Sequence, residues 1–264
     1  MIARAVLLDA YEALGPHREN TVLIGAQAVY LHTGEGELQV TPFTEDADLA
    51  LDPRSIGNDP RIEQCMLAAG FVLGPNPGNW RGPHDTHVDL MVPATLGGAP
   101  GRRGARMPPH ATNAARQASG IEACIVDVVT LRLSALDPAD GRAFEVRVAG
   151  PAALLVAKAH KLGERVTQGP SRVEPKDALD VFRLLMAVGP EPLAARLRVL
   201  LDHPVTGDAT RRALAYLSGL FATAHGEGPT LVAQALAETD DPEAAREASW
   251  QLMQALLQLM RATD

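Results

Sequence analysis

The chain has 264 residues, of which 46% are apolar and 21% charged, a composition that suits one large or two modest folded domains and excludes a mainly disordered or coiled-coil protein. Aromatic residues are only 4%, too few for a surface that stacks single-stranded bases. The formal charge of −8 excludes indiscriminate nucleic-acid binding, but the charge is unevenly spread: residues 1–90 carry 5 Lys/Arg against 13 Asp/Glu, residues 91–190 carry 13 against 9, and residues 191–264 carry 6 against 10. With only Cys65 and Cys124, neither a four-cysteine zinc site nor a secreted disulfide framework is possible, and both are expected to be reduced, buried thiols of a cytoplasmic protein. Arg4, Asp9 and Glu12 interrupt any signal-peptide core, and no apolar run nears the roughly 20 residues that span a bilayer, so no membrane association is expected.

Apolar residues at helical spacing predict a helix over 3–14, stopped by Gly15-Pro16. Thr21 to Ile24 is a short β-branched run that ends at Gly25, and Ala26 to His32 reads as a helix, giving strand, tight turn, helix. Asp46 to Asp52 alternates: Asp46, Asp48, Ala50 and Asp52 lie on one side, and Ala47, Leu49 and Leu51 on the other, as in a half-buried strand. A helix is expected over 59–69, then strands over 71–73 and 86–92 joined by a Pro/Gly/Asn-rich turn. Residues 94–104 read as a mobile Gly/Pro-rich loop, and 121–133 and 144–148 as strands. From Pro151 the pattern turns helical, with a second helix over 176–188 and four more, broken near Pro204, Gly226 and Asp241-Pro242. The fold class read from this order is α/β: a small mixed β-sheet with packed helices over residues 1–150, followed by an α-helical region over residues 151–264.

The residues most suited to chemistry are Asp46 and Asp48, two apart on one strand and therefore on one face, together with Asp89 on another strand. Three carboxylates on a shared face repel one another, and Mg2+ or Mn2+ is the usual neutraliser of an oxygen-only donor set. Solvated strand-edge aspartates are the alternative. Gly25 and Ala26 sit between strand and helix, where backbone N–H groups and the helix dipole attract phosphate. Lys158, Lys161 and Arg165, spaced i, i+3, i+7, share one helix stripe, as a solvated basic face also does. Lys176, Asp177 and Asp180 suit ion pairs between two helices, and Arg102, Arg103 and Arg106 form a basic loop able to meet phosphates. His87 shares the face of Asp89, and the histidines supply no convincing metal-binding pair.

The order Val22-Leu-Ile-Gly-Ala-Gln-Ala28, Thr44-Glu-Asp46-Ala-Asp48-Leu49, then Asp89, resembles the nucleotidyltransferase superfamily, which joins a Gly-Gly or Gly-Ser turn to an Asp-x-Asp strand and a later carboxylate. Gly150 to Lys158, Arg165 and Lys176-Asp177-Ala-Leu-Asp180 are similar to its branch related to abortive-infection (AbiEii-like) toxins, and the resemblance covers roughly residues 20–188. The chain departs from the pattern at Ala26, where the family has Gly or Ser. The resemblance implies transfer of a nucleoside monophosphate from a nucleoside triphosphate to an acceptor (RNA such as tRNA, protein or a small molecule), and an antitoxin as a partner. It implies Asp46, Asp48 and Asp89 as metal ligands, Gly25, Ala26, Lys158 and Lys161 at the nucleotide, and Lys158 offsetting developing charge. The alternative is a degenerate nucleotidyltransferase fold that acts as a nucleotide-binding or regulatory module.

Overall fold

The computed structural model describes residues 2–34, 46–83, 86–99, 103–238 and 241–262; Thr44, Glu45 and Arg102 lie outside them. The described residues belong to two compact units, one within Met1–Ala28 and Phe43–Ala149, the other within Val29–Pro42 and Gly150–Asp264.

The first unit is built on a mixed sheet that comprises, among the described residues, eight strands: β1 (Thr21–Ile24), β2 (Asp46–Leu51), β3 (Val72–Leu73), β4 (Asn79–Arg81), β5 (His87–Pro93), β6 (Arg116–Ala118), β7 (Val128–Ser134) and β8 (Ala143–Ala149). Their order is β3-β4-β5-β2-β1-β8-β7, with β6 also paired to β5. Strand β2 runs antiparallel to β1 and parallel to β5. The alternation along β2 has its expected cause: Ala47, Leu49 and Leu51 are completely buried, while the two aspartates point the other way. Helix α1 (Ile2–Leu14) packs on β2, β5 and β8 and against a shorter helix, α3 (Ile62–Ala68); α2 (Gly25–Thr33) lies between them in sequence. Leu7, Leu8, Tyr11 and Leu14 of α1 are fully buried, each worth about 1.5–3 kcal/mol relative to exposure. The Tyr11 hydroxyl donates to the Thr21 carbonyl at 3.3 Å, so its polar end is satisfied.

Three local expectations need correcting. The helix expected over 59–69 starts at Ile62, whose N–H is taken by His110 Nδ1 at 3.1 Å, a cap 48 residues away that no local pattern reveals. Residues 121–127 are not strand, because a 3-10 turn over Ala123–Ile125 precedes β7 and buries Ala123, Cys124 and Ile125. Strand β4 lies in the stretch that reads as a turn, and β6 lies in one to which the sequence assigns no element. Neither cysteine is in a disulfide; Cys124 is buried and Cys65 half-buried.

The described part of the second unit is helical from Gly150 onward: α4 (Pro151–Gln168), α5 (Pro175–Val188), α6 (Pro190–Asp202), α7 (Gly207–Leu220), α8 (Glu227–Ala235) and α9 (Pro242–Arg261). Helix α4 packs against α7, α5 and α6, and α5, α8 and α9 stack in turn. Proline opens α4, α5, α6 and α9, where its missing N–H costs nothing, and Asp241 caps α9 through the N–H groups of Glu243 and Ala244. No helix among the described residues is long and apolar enough to cross a membrane.

Candidate functional site

The parallel register of β2 and β5 pairs Asp48 with Asp89 and Asp46 with His87. Paired residues of adjacent strands project to the same face, so Asp46, Asp48 and Asp89 share one, on strands about 4.8 Å apart. On the other edge of β2, Ile24 of β1 pairs with Asp48, and the next residue is Gly25. Gly25 has φ +72°, and a Cβ on it would collide with the Asp48 carboxylate. Both facts demand glycine there, and they set the first turn of α2 against the aspartate. Gln27 fixes the helix start, its Nε2 donating to the Asp46 carbonyl at 2.8 Å. We predict that Gly25→Ala costs about 1–3 kcal/mol of stability in urea unfolding, from left-handed strain and displacement of Asp48; an unchanged midpoint contradicts this geometry.

On the opposite side of Asp89, two side chains that the sequence does not single out take both of its oxygens. Asn79 Nδ2 donates to Oδ1 at 2.8 Å, and Arg116 Nη2 lies 3.2 Å from Oδ2. Both follow from topology. Strand β4 pairs Asn79 with Asp89, and β6 pairs Arg116 with Met91 on the same edge of β5. Gly78, at φ +74°, lets the chain enter between these strands: a Cβ would strike the Leu90 carbonyl and the Arg116 backbone. Arg116 therefore balances part of the charge that Asp89 adds to the acidic face. Among the described residues, no group of three or more His, Cys, Asp or Glu side chains is gathered as a ready-made metal site. The donor chemistry of Asp46 and Asp48 suits a hard cation, and Asp89 can join them on exchanging Arg116 for it.

The segment expected to be a mobile loop is tied down in its described part. Gln117 Nε2 donates to the carbonyls of Gly97, Ala99 and Gly104 at 3.0, 3.4 and 3.2 Å, and Gly104 bridges to Arg116. Arg103 is exposed and its Nη1 reaches Asn76 Oδ1 at 3.4 Å. Arg106 lines a separate cavity of about 600 Å³ with Met107 and His110. The ring of His110 meets that of His17 edge-on, and each has a nitrogen on a backbone carbonyl, at Gly57 and Pro60 respectively.

Lys158 and Lys161 belong to the second unit, on α4, and the basic stripe there converges on one buried carboxylate. Asp177 of α5, with no exposed surface, is met by Lys158 Nζ at 3.4 Å, Lys161 Nζ at 3.2 Å and Arg165 Nη1 at 2.6 Å. Lys158 is itself 5% exposed and also pairs with Asp180 at 2.6 Å. Asp177 and Asp180 thus join two helices, as ion pairing predicts, whereas Lys176 turns outward to Glu174. Burial pushes the Glu174 carboxyl up, but hydrogen bonds from Arg165 and Lys176 outweigh it and hold the group at about 2. Arg183 lies over the Tyr30 ring at 4.8 Å, and burial, reinforced by the Asp180 charge, raises the phenol above its ordinary value. No protein-family model matches the chain, and neither the curated proteins nor the solved structures include a significant match.

Proposed function

We propose that this chain is a metal-dependent nucleotidyltransferase, with a nucleotidyltransferase-type sheet as its core, that moves a nucleoside monophosphate from a nucleoside triphosphate to an acceptor nucleophile as pyrophosphate leaves. The observation that carries this reading is the register that aligns Asp46, Asp48 and Asp89 on one face beside a glycine turn too tight for any side chain. Asp46 and Asp48, joined by Asp89, are the residues that would hold Mg2+ or Mn2+. A metal held there supplies neutralisation of phosphate charge. The backbone N–H groups of Gly25 and Ala26, at the positive end of α2, bind phosphate oxygens without a side chain's help, so the hydroxyl missing at Ala26 removes one contact and not the cradle. Asp89 stands on the far side of Asp48 from that turn and can accept the proton of the attacking hydroxyl there.

One observation favours a second reading, a nucleotide-binding or regulatory module without transfer: both Asp89 oxygens are already engaged by Asn79 and Arg116. The two readings separate in one assay. The chain is incubated with each α-labelled nucleoside triphosphate, magnesium and a cell extract. Label passing to an acceptor with release of pyrophosphate supports transfer. Metal-dependent binding with no pyrophosphate from any of the four supports the module.

A further inference from the structure

We infer that the cleft on the Asn79 side of Asp89 is a second anion subsite, which holds a phosphate group of the acceptor; its part in transfer rests on the reading above. The cleft has a volume of about 410 Å³, and Asn76, Asn79, Asp89, Arg103, Arg116 and Gln117 line it. Two guanidinium groups thus face one carboxylate. The Arg103 hydrogen bond is to a neutral amide oxygen, and Arg116 meets Asp89 through Nη2 alone. Each guanidinium has five N–H donors in a planar fork whose geometry matches phosphate oxygens, so both retain donors for an incoming anion. Were Asp89 to serve as a cation ligand in place of its contact with Arg116, the cleft would gain the charge of that guanidinium.

The cradle is also fixed in place. Arg116 is a strand residue bridged to Gly104, the Gln117 N–H donates to the Arg103 carbonyl at 2.8 Å, and the Gln117 side chain pins the carbonyls of Gly97 and Gly104. Its position relative to the sheet matters most. Reading across β4, β5, β2 and β1, the cleft adjoins Asn79 and Asp89, the Asp-x-Asp pair follows, and the Gly25 turn comes last. Phosphoryl transfer is in line, so nucleophile and leaving group lie on opposite sides of the phosphorus. With pyrophosphate at the Gly25 turn, the acceptor enters from the Arg103 and Arg116 side. A cationic cleft there selects an acceptor with a phosphate close to its attacking hydroxyl.

The test is a titration of the isotope-labelled full chain with inorganic phosphate, metal and triphosphate absent, followed by backbone amide shifts against an acetate titration at equal ionic strength. Expected are saturable shifts at Arg103, Arg116 and Gln117 with phosphate and much smaller ones with acetate. Arg103→Gln should weaken phosphate binding at least tenfold, and Arg103→Gln with Arg116→Gln should abolish it. The single variant is exposed and keeps the test valid if Arg116→Gln disturbs the Asp89 strand. No saturable shift, equal shifts with acetate, or unchanged binding in the double variant overturns the subsite. Because the titration uses no triphosphate, phosphate binding in a chain that transfers nothing retains the anion site and removes its role in transfer. In a chain that does transfer, Arg103→Gln should raise the acceptor KM at least tenfold with the triphosphate KM unchanged; a rise in the triphosphate KM instead overturns the acceptor assignment.

Discussion

If the chain transfers nucleotides as proposed, replacing Asp46 and Asp48 together by Asn is expected to lower that transfer about a thousandfold or more, equivalent to ~4 kcal/mol of transition-state stabilisation, while the folded chain stays at least as stable as before. Asn has the shape of Asp, so the contact with Gly25 survives, and the hydrogen bond from Gln27 goes to the Asp46 carbonyl, which the substitution leaves intact. Like charges opposite one another on a sheet destabilise it, so removing two of the three from the face relieves repulsion. Lost instead are the anionic oxygens that would hold the metal. Pyrophosphate release and a urea unfolding curve, measured on the same preparations, check both halves; activity within tenfold of the unsubstituted chain contradicts the mechanism.

Asp177→Ala is expected to lower stability by about 3–5 kcal/mol in urea unfolding. Asp177 has no exposed surface, and Lys158, Lys161 and Arg165 converge on it, so its removal leaves the almost completely buried Lys158 with Asp180 alone, Arg165 with Glu174 alone, and the α4–α5 interface with an excess of positive charge. Lys176, one residue earlier, has 69% of its side chain exposed, and Lys176→Ala should change stability by no more than about 0.5 kcal/mol. Equal costs for the two variants contradict the network.

The shared face of Asp46 and Asp48 is legible because side-chain direction in a strand alternates strictly, so a two-residue spacing fixes it without knowledge of the rest, whereas Asp89 joins that face only through the parallel register of β2 and β5, which the spacing does not give. The helices after Gly150 were readable because proline marks their starts, as at Pro151, Pro175, Pro190 and Pro242, and glycine follows several ends, as at Gly169 and Gly189. What escaped was set by pairing at a distance. Asn79-Trp-Arg and Arg116-Gln-Ala are three-residue strands among glycines and prolines, and their β character comes from β5, which neither segment can signal locally. The Arg116 and Asn79 contacts to Asp89 were invisible for the same reason. The Lys158 stripe was legible as a stripe, but a helix period does not reveal which charged positions are covered by a neighbour, and here α5 covers one almost entirely.

Binding of a divalent cation with a nucleoside triphosphate at the β2 and β5 carboxylates, as proposed, can be read from Mn2+ paramagnetic broadening in the isotope-labelled chain. With triphosphate present, substoichiometric Mn2+ should erase the amide signals of residues 46–48, 87–89 and 25–27 first, and the Asp46→Asn, Asp48→Asn variant should lose that pattern. Broadening centred elsewhere, or an identical pattern in the variant, contradicts the claim.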